Sequence, residues 1–142
     1  TNSGYRTSEW SPGFLSIIDS HTAQVIHRIE TSRLNPQVLE QTERHLVVVN
    51  TGTYDQSDFL QPRSDQPGGI DMLRLDTLTT AMGPDSTLEL EGALPSPADI
   101  QLIDQRAVIT STLRPSFLTA VMEEGRLSIT GTHALPESDN LR

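Results

Sequence analysis

The chain has 142 residues, no cysteine and a formal net charge of −9 at neutral pH. The negative balance argues against nucleic acid as a partner, since such binding depends on a basic surface, and the lack of cysteine removes disulfide, thiolate and covalent haem chemistry. No segment approaches the roughly 18 consecutive apolar residues of a membrane-spanning helix.

Short apolar segments separated by turn residues predict strands along the whole chain. Val, Ile, Leu and Thr occur in brief runs broken by Gly, Pro, Asn, Asp and Ser, and no long stretch has helical spacing. We therefore predict an all-β fold without helices. In chain order, the predicted strands are 13–19, 24–30, 37–42, 45–50, 69–75, 86–91, 98–103, 106–111, 117–122 and 126–131.

The apolar patterns distinguish inner strands from outer ones. Residues 46–49 (LVVV) are apolar on both faces, which predicts that this strand lies between two covering layers. Residues 88–91 and 127–130 instead alternate between apolar and polar side chains. These two strands are expected to be half exposed.

The chain also repeats itself. Residues 35–50 (NPQVLEQTERHLVVVN) align without a gap with residues 96–111 (SPADIQLIDQRAVITS), proline over proline. A second shared element, an Asp followed by a short turn, occurs at 17–22 and again at 74–79, and the Asn-Ser-Gly at 2–4 is similar to the Asn-Thr-Gly at 50–52. Such self-similarity predicts an array of one small structural unit.

The repeated unit resembles the YVTN-type β-propeller repeat of periplasmic and cell-surface proteins, which reads Pro, apolar strand, Tyr-Val-Thr-Asn, loop, Val-Ile-Asp, Thr-Gly. The matching residues are Pro36, Val47-Val48-Val49-Asn50, Leu75-Asp76-Thr77, Pro97, Ile109-Thr110-Ser111, and Ile18-Asp19 with Thr22. The resemblance implies a β-propeller segment of about two and a half four-stranded blades, part of a larger closed propeller. It also implies a periplasmic, extracellular or cell-surface location in a bacterial or archaeal protein.

The same alignment divides the chain. Residues 1–34 are expected to end one blade with its outer strands, 35–95 to form a second blade with a long loop at 52–69, 96–134 to form a third, and 135–142 to begin the next. The remaining blades, from the same protein or from another chain, are then expected partners. The alternative is a free-standing β-sandwich of about ten strands.

Two long loops that follow equivalent strands are the predicted binding surface. Residues 4–13 and 52–69 hold four of the six aromatic residues, and loops of this length in a compact repeat suggest a binding role. Aromatic and charged side chains together suit a protein segment or a glycan as ligand. The predicted binding residues are Tyr5, Arg6, Trp10, Arg33, Tyr54, Asp55, Asp58, Phe59 and Arg63. The alternative is that the rings pack the loops onto their own blades and that the charges are merely solvated.

No catalytic residue, metal ligand or cofactor is predicted. The glycine-flanked serine of a nucleophile elbow, the Gly-Lys of a phosphate loop and the His-Glu-x-x-His metal motif are missing from the sequence. The four histidines are scattered, and Asp55, Asp58 and Asp65 match no calcium-loop spacing. We therefore predict a non-catalytic binding or scaffold module. The alternative is part of a propeller enzyme or electron-transfer protein whose catalytic residues lie outside this chain.

Overall fold

A computed structural model describes residues 5–6, 9–10, 13–54, 63, 65–90, 94, 96–111 and 114–135. Within these residues the chain forms antiparallel strands and a single 3₁₀ turn at Leu75–Thr77. The all-β prediction is confirmed. The described part of the chain contains no helix long and apolar enough to cross a membrane.

Each of the predicted strands is present. In chain order the strands are β1 (Tyr5–Arg6), β2 (Glu9–Trp10), β3 (Phe14–Ile18), β4 (Val25–Glu30), β5 (Pro36–Gln41), β6 (His45–Asn50), β7 (Gly69–Arg74), β8 (Ser86–Glu89), β9 (Pro97–Ile103), β10 (Arg106–Ser111), β11 (Ser116–Glu123) and β12 (Arg126–Ala134). The sequence did not predict β1 and β2. They form a short antiparallel ribbon within residues 4–13, the segment predicted to be a loop.

The strands form two four-stranded antiparallel sheets, β5–β8 and β9–β12, in which sequential strands are neighbours. The hairpin β3–β4 makes a separate two-stranded sheet. Strand β6 and strand β10 start and end at aligned positions of the repeat, and both are second in their sheets. Their equivalent residues Val48 and Ile109 are fully buried in different sheets, as the repeat alignment predicts.

Two cores separate three layers of strands. The larger core lies between the two four-stranded sheets and includes Val47 and Val49 of β6. The smaller core lies between the β3–β4 hairpin and the middle sheet, and it includes Val48. Because neighbouring residues of a strand point to opposite faces, β6 is covered on both sides, which confirms the prediction for residues 46–49. A sandwich would have two sheets instead of these three layers.

The two contacts between layers are built alike. At the first contact, His27 Nε2 on β4 lies 2.6 Å from the carbonyl oxygen of Ala81, in the connection between β7 and β8. At the second, Ser86 Oγ on β8 donates to the carbonyl oxygen of Gly125, 2.9 Å away, in the turn between β11 and β12. The hairpin β3–β4 therefore corresponds in position to β7–β8, the third and fourth strands of the middle sheet.

Three positions on the outer face of the β9–β12 sheet are polar where the middle sheet is apolar. Three apolar residues of the middle sheet, Val38, Val49 and Met72, belong to or pack against the larger core. Their counterparts one repeat later are Asp99, Thr110 and Thr119. The same face also carries the apolar side chains of Ile103, Val108, Phe117 and Val121, so it is polar only in part. The described sheets do not close into a ring, so the closed propeller remains a proposal.

Candidate functional site: a groove between the two four-stranded sheets

A groove of about 1140 Å³ lies where the two four-stranded sheets diverge. It is bounded by the β5–β6 turn and the segment after β7 on one side, and by the β9–β10 and β11–β12 turns on the other. These turns all lie at the end of the sheets opposite the predicted loop 52–69. The groove is therefore on the other face from the predicted site.

Half-buried apolar side chains and exposed polar side chains line the groove together. Leu75, Leu102 and Met122 are half-buried, whereas Arg44 and Asp104 are exposed. An apolar surface with a few polar groups around it is the usual make-up of a ligand site, because burial provides affinity and the polar groups provide orientation. The groove has this make-up.

The charges of the groove are mainly negative. Arg74 and Asp76 form a bidentate pair, with Nε to Oδ1 at 3.0 Å and Nη2 to Oδ2 at 2.5 Å. The hydrogen bond from Arg74 lowers the pKa of Asp76, and the same bond raises the pKa of Arg74. With this pair neutralised, the carboxylates of Glu43, Asp104 and Glu124 face the single guanidinium of Arg44, an excess of two negative charges.

Gly125 allows the two walls of the groove to lie in close contact. Glu124 (φ 49) and Gly125 (φ 77) both have left-handed backbone conformations, as the two central residues of a type I′ hairpin turn require. The ring of His45 lies against this turn, so a Cβ on Gly125 would come within 2.7 Å of His45 Nε2. The turn of one sheet thus packs directly on a side chain of the other.

Three of the predicted binding residues have described side chains, and all three are engaged within the chain. Arg33 pairs with Glu89 at 2.5 Å, and Arg63 pairs with Asp65, whose pKa it lowers. The hydroxyl of Tyr54 lies 2.5 Å from Oγ of Ser96, a buried residue just before β9. Tyr54 therefore links the start of the long loop to the next repeat.

The other predicted binding residues remain untested. Tyr5, Arg6 and Trp10 lie in the β1–β2 ribbon, where Tyr5 and Trp10 are directly opposite in the register, and their side chains are outside the described set. Asp55, Asp58 and Phe59 lie outside the described residues altogether. The clustering of the four aromatic residues on one face stays a prediction.

A buried polar cluster around Asp71 was missed by the sequence analysis. Asp71 is fully buried on β7 and accepts hydrogen bonds from Asn50 Nδ2 (2.9 Å), Thr87 Oγ1 (2.8 Å) and the backbone N–H of Ser32 (2.9 Å). Ser32 Oγ donates a further short bond. An Asp inside the apolar strand 69–73 (GIDML) was the signal that could have revealed it. Since Ser32 lies between β4 and β5, the cluster joins the hairpin layer to the middle sheet.

Comparisons with protein-family models, with curated proteins and with solved structures return no match for this chain. The resemblance to the YVTN-type repeat therefore rests on the residues quoted above. Within the described ranges, no group of three or more His, Asp or Glu side chains is placed to hold a metal ion.

Proposed function

We propose that this chain is a non-catalytic binding module, and that the groove between its two four-stranded sheets holds a positively charged segment of a partner protein. The observation that carries the proposal is the combination of a half-buried apolar lining with an excess of two carboxylates. A peptide with alternating basic and apolar side chains matches both features, because its apolar residues bury surface while its cations meet the carboxylates.

The propeller assignment and an extracytoplasmic location belong to the same proposal. Two aligned four-stranded meanders, each beginning at the proline of its repeat, support blades as the structural unit. The location is supported only by the resemblance to periplasmic and cell-surface propeller repeats. The mass of the native assembly tests the blade count, since a closed propeller needs about four or more blades.

The groove is tested with two fluorescein-labelled peptides, one alternating Arg with Leu and one alternating Glu with Leu, titrated against the full chain. We expect the basic peptide to bind, to bind more weakly as salt is raised, and to be preferred over the acidic one. The double variant Asp104→Asn/Glu124→Gln should weaken binding about threefold to tenfold. The matched control Glu30→Gln/Asp99→Asn removes two exposed carboxylates outside the groove and should leave the affinity unchanged.

A second pair of variants distinguishes the groove from the predicted loop surface. Trp10→Ala and Phe59→Ala alter the two segments predicted to be loops and leave the residues that line the groove unchanged. If these variants abolish peptide binding and the groove variants do not, the site lies on the loop face and the groove proposal is wrong. Equal binding of the basic and acidic peptides would also contradict it.

A further inference from the structure

Leu39 on β5 and Ile100 on β9 occupy the same position of the repeat but differ in burial. Leu39 is 45% exposed, whereas Ile100 is 1% exposed. The neighbouring strand shows the same contrast, because Leu46 is half-buried and its equivalent, Ala107, is buried. The middle sheet therefore lacks, over its first strand, a cover that the next sheet has.

The missing cover is identified by what packs on Ile100. Ile100 shares the larger core with Val47 and Val49 of β6, and strand β9 packs against both β5 and β6. On the opposite side of the middle sheet, the β3–β4 hairpin packs on Val48 and Leu73. The two strands of this hairpin correspond to the third and fourth strands of a four-stranded sheet. No described strand corresponds to the first and second strands of this layer.

Strand β3 also has an edge at this place that no other described strand pairs with. The equivalent strands β7 and β11 each pair with a strand on both sides, whereas β3 pairs only with β4 among the described strands. An open edge presents unpaired backbone N–H and C=O groups, which bind an added strand by ladder hydrogen bonds. The open edge lies on the side where a second-position strand would pair, so ladder bonds and apolar contact are available to one ligand.

We propose that the edge of β3 and the apolar surface of Leu39 and Leu46 bind an antiparallel β-hairpin of the β5–β6 type. Its second strand pairs with β3 as β6 pairs with β7, and its inward apolar residues cover Leu39 as β5 and β6 cover Ile100. On the outer face of the last sheet, Thr110 and Asp99 are polar and exposed. The proposal rests on the repeat geometry and is independent of the groove.

The experiment uses the full chain and a fluorescein-labelled peptide with the chain's own residues 35–52 (NPQVLEQTERHLVVVNTG) as the probe. We expect saturable binding by fluorescence anisotropy, with slower amide hydrogen exchange in Phe14–Ile18 and Pro36–Gln41. Leu39→Asp should weaken binding at least tenfold. The matched control Ile103→Asp places the same charge on another exposed apolar residue and should not change binding.

A peptide with proline at the position of Val48 provides a test that needs no protein variant. Proline removes an N–H from the strand expected to pair with β3 and should abolish binding. Failure of the parent peptide to bind up to its solubility limit, or binding that Leu39→Asp leaves intact, would overturn the proposal. A dimer of the chain that Leu39→Asp dissociates would also overturn it, since a second copy would then be the occupant.

The two proposals fail separately. Asp104→Asn/Glu124→Gln should leave binding of the hairpin peptide unchanged, because both residues lie in turns of the last sheet, whereas Leu39 lies beside Val48 on the face of the middle sheet toward β3–β4. If the parent chain does not bind the basic peptide but does bind the hairpin peptide, only the groove proposal is overturned.

Discussion

At the scale of single residues, Asp71 shows how one side chain connects separate elements. Its carboxylate accepts bonds from β6, β8 and the β4–β5 connection. The paired residue one repeat later is Leu118, also fully buried, so the repeat accommodates an apolar side chain at this position. In the middle sheet, hydrogen-bond donors surround this position. Buried donors need an acceptor, and Asp71 provides it.

Asp71→Ala is expected to lower the free energy of unfolding by about 3 kcal/mol or more, because buried donors of Ser32, Asn50 and Thr87 lose their acceptor and each unsatisfied donor costs about 1–3 kcal/mol. Urea denaturation followed by circular dichroism measures this loss. Asp99→Ala, at an exposed position of β9, is the control and should change stability by about 0.5 kcal/mol at most. Equal effects of the two substitutions would show that the cluster contributes no stability.

Asp19 gives a pH-dependent prediction in the β3–β4 turn. Its carboxylate accepts the backbone N–H groups of Thr22 and His21, each at 2.8 Å, and these bonds lower its pKa below the ordinary value of 3.8. A lowered pKa in the folded state means that the unfolded chain takes up the proton first. The stabilisation is therefore fully present above pH 3.8 and is lost as the pH falls through the lower folded-state value.

The variant Asp19→Asn should be slightly less stable than the parent at neutral pH and equally stable in strong acid, where Asp19 is protonated in both states. Thermal melts across this pH range, with Glu30→Gln as a control for the change in net charge, measure the difference. A difference that stays constant from neutral to acid pH would assign the effect to packing instead of charge.

At the scale of elements, Gly68 permits close contact between the two four-stranded sheets. A Cβ at this position would lie 2.4 Å from Pro97 Cδ and 2.7 Å from the carbonyl oxygen of Asn50. Pro97 is the first residue of β9 and Asn50 is the last residue of β6, so both sheets would have to shift to admit a methyl group. The two sheets can come this close only because residue 68 has no side chain.

Gly68→Ala is therefore expected to destabilise the chain by about 1–3 kcal/mol, the usual cost of overpacking a well-packed site. Gly83→Ala is the matched control, because its added Cβ would meet only the carbonyl oxygen of Glu30 at 3.9 Å. The midpoints of urea denaturation compare the two variants. Similar denaturation midpoints for Gly68→Ala and Gly83→Ala would mean that the two sheets move apart with little loss of stability.

At the scale of the whole molecule, the two ends of the stack of layers differ. One end has the exposed Leu39 beside β3, which pairs with a single described strand, and the other is a four-stranded sheet with a partly polar outer face. A propeller blade that follows the last sheet would have to pack on Asp99, Thr110 and Thr119 as well as on the apolar Val108 and Val121. The positions equivalent to the buried Val49 and Met72 are therefore polar in the last sheet.

Lysine substitutions at equivalent positions test this asymmetry in the full chain. Thr110→Lys should change the free energy of unfolding by about 0.5 kcal/mol at most because Thr110 is exposed. Val49→Lys, one repeat earlier and fully buried, should unfold the chain or cost several kcal/mol, because it buries an unpaired charge. Urea denaturation curves of the two variants give the two changes in the free energy of unfolding. A large loss for Thr110→Lys would mean that a further layer covers the last sheet.

The sequence by itself determined the strands β3 to β12, their order along the chain and the repeat register. Each of these depends on local patterns: apolar runs interrupted by turn residues define β5, β6, β9 and β10, and the gapless alignment of 35–50 with 96–111 sets their equivalence. The burial of 47–49 on both faces of β6 followed from the same pattern.

The tertiary structure alone decided where the groove lies, which donors surround Asp71, and that Leu39 is uncovered. The groove residues come from four separate turns, each too short to indicate a site, and the partners of Asp71 come from elements distant in the sequence. Leu39 and Ile100 have similar side chains and the same place in the repeat, so no local pattern separates an exposure of 45% from one of 1%. Burial depends on which other segments pack on a residue, and only the assembled layers provide that.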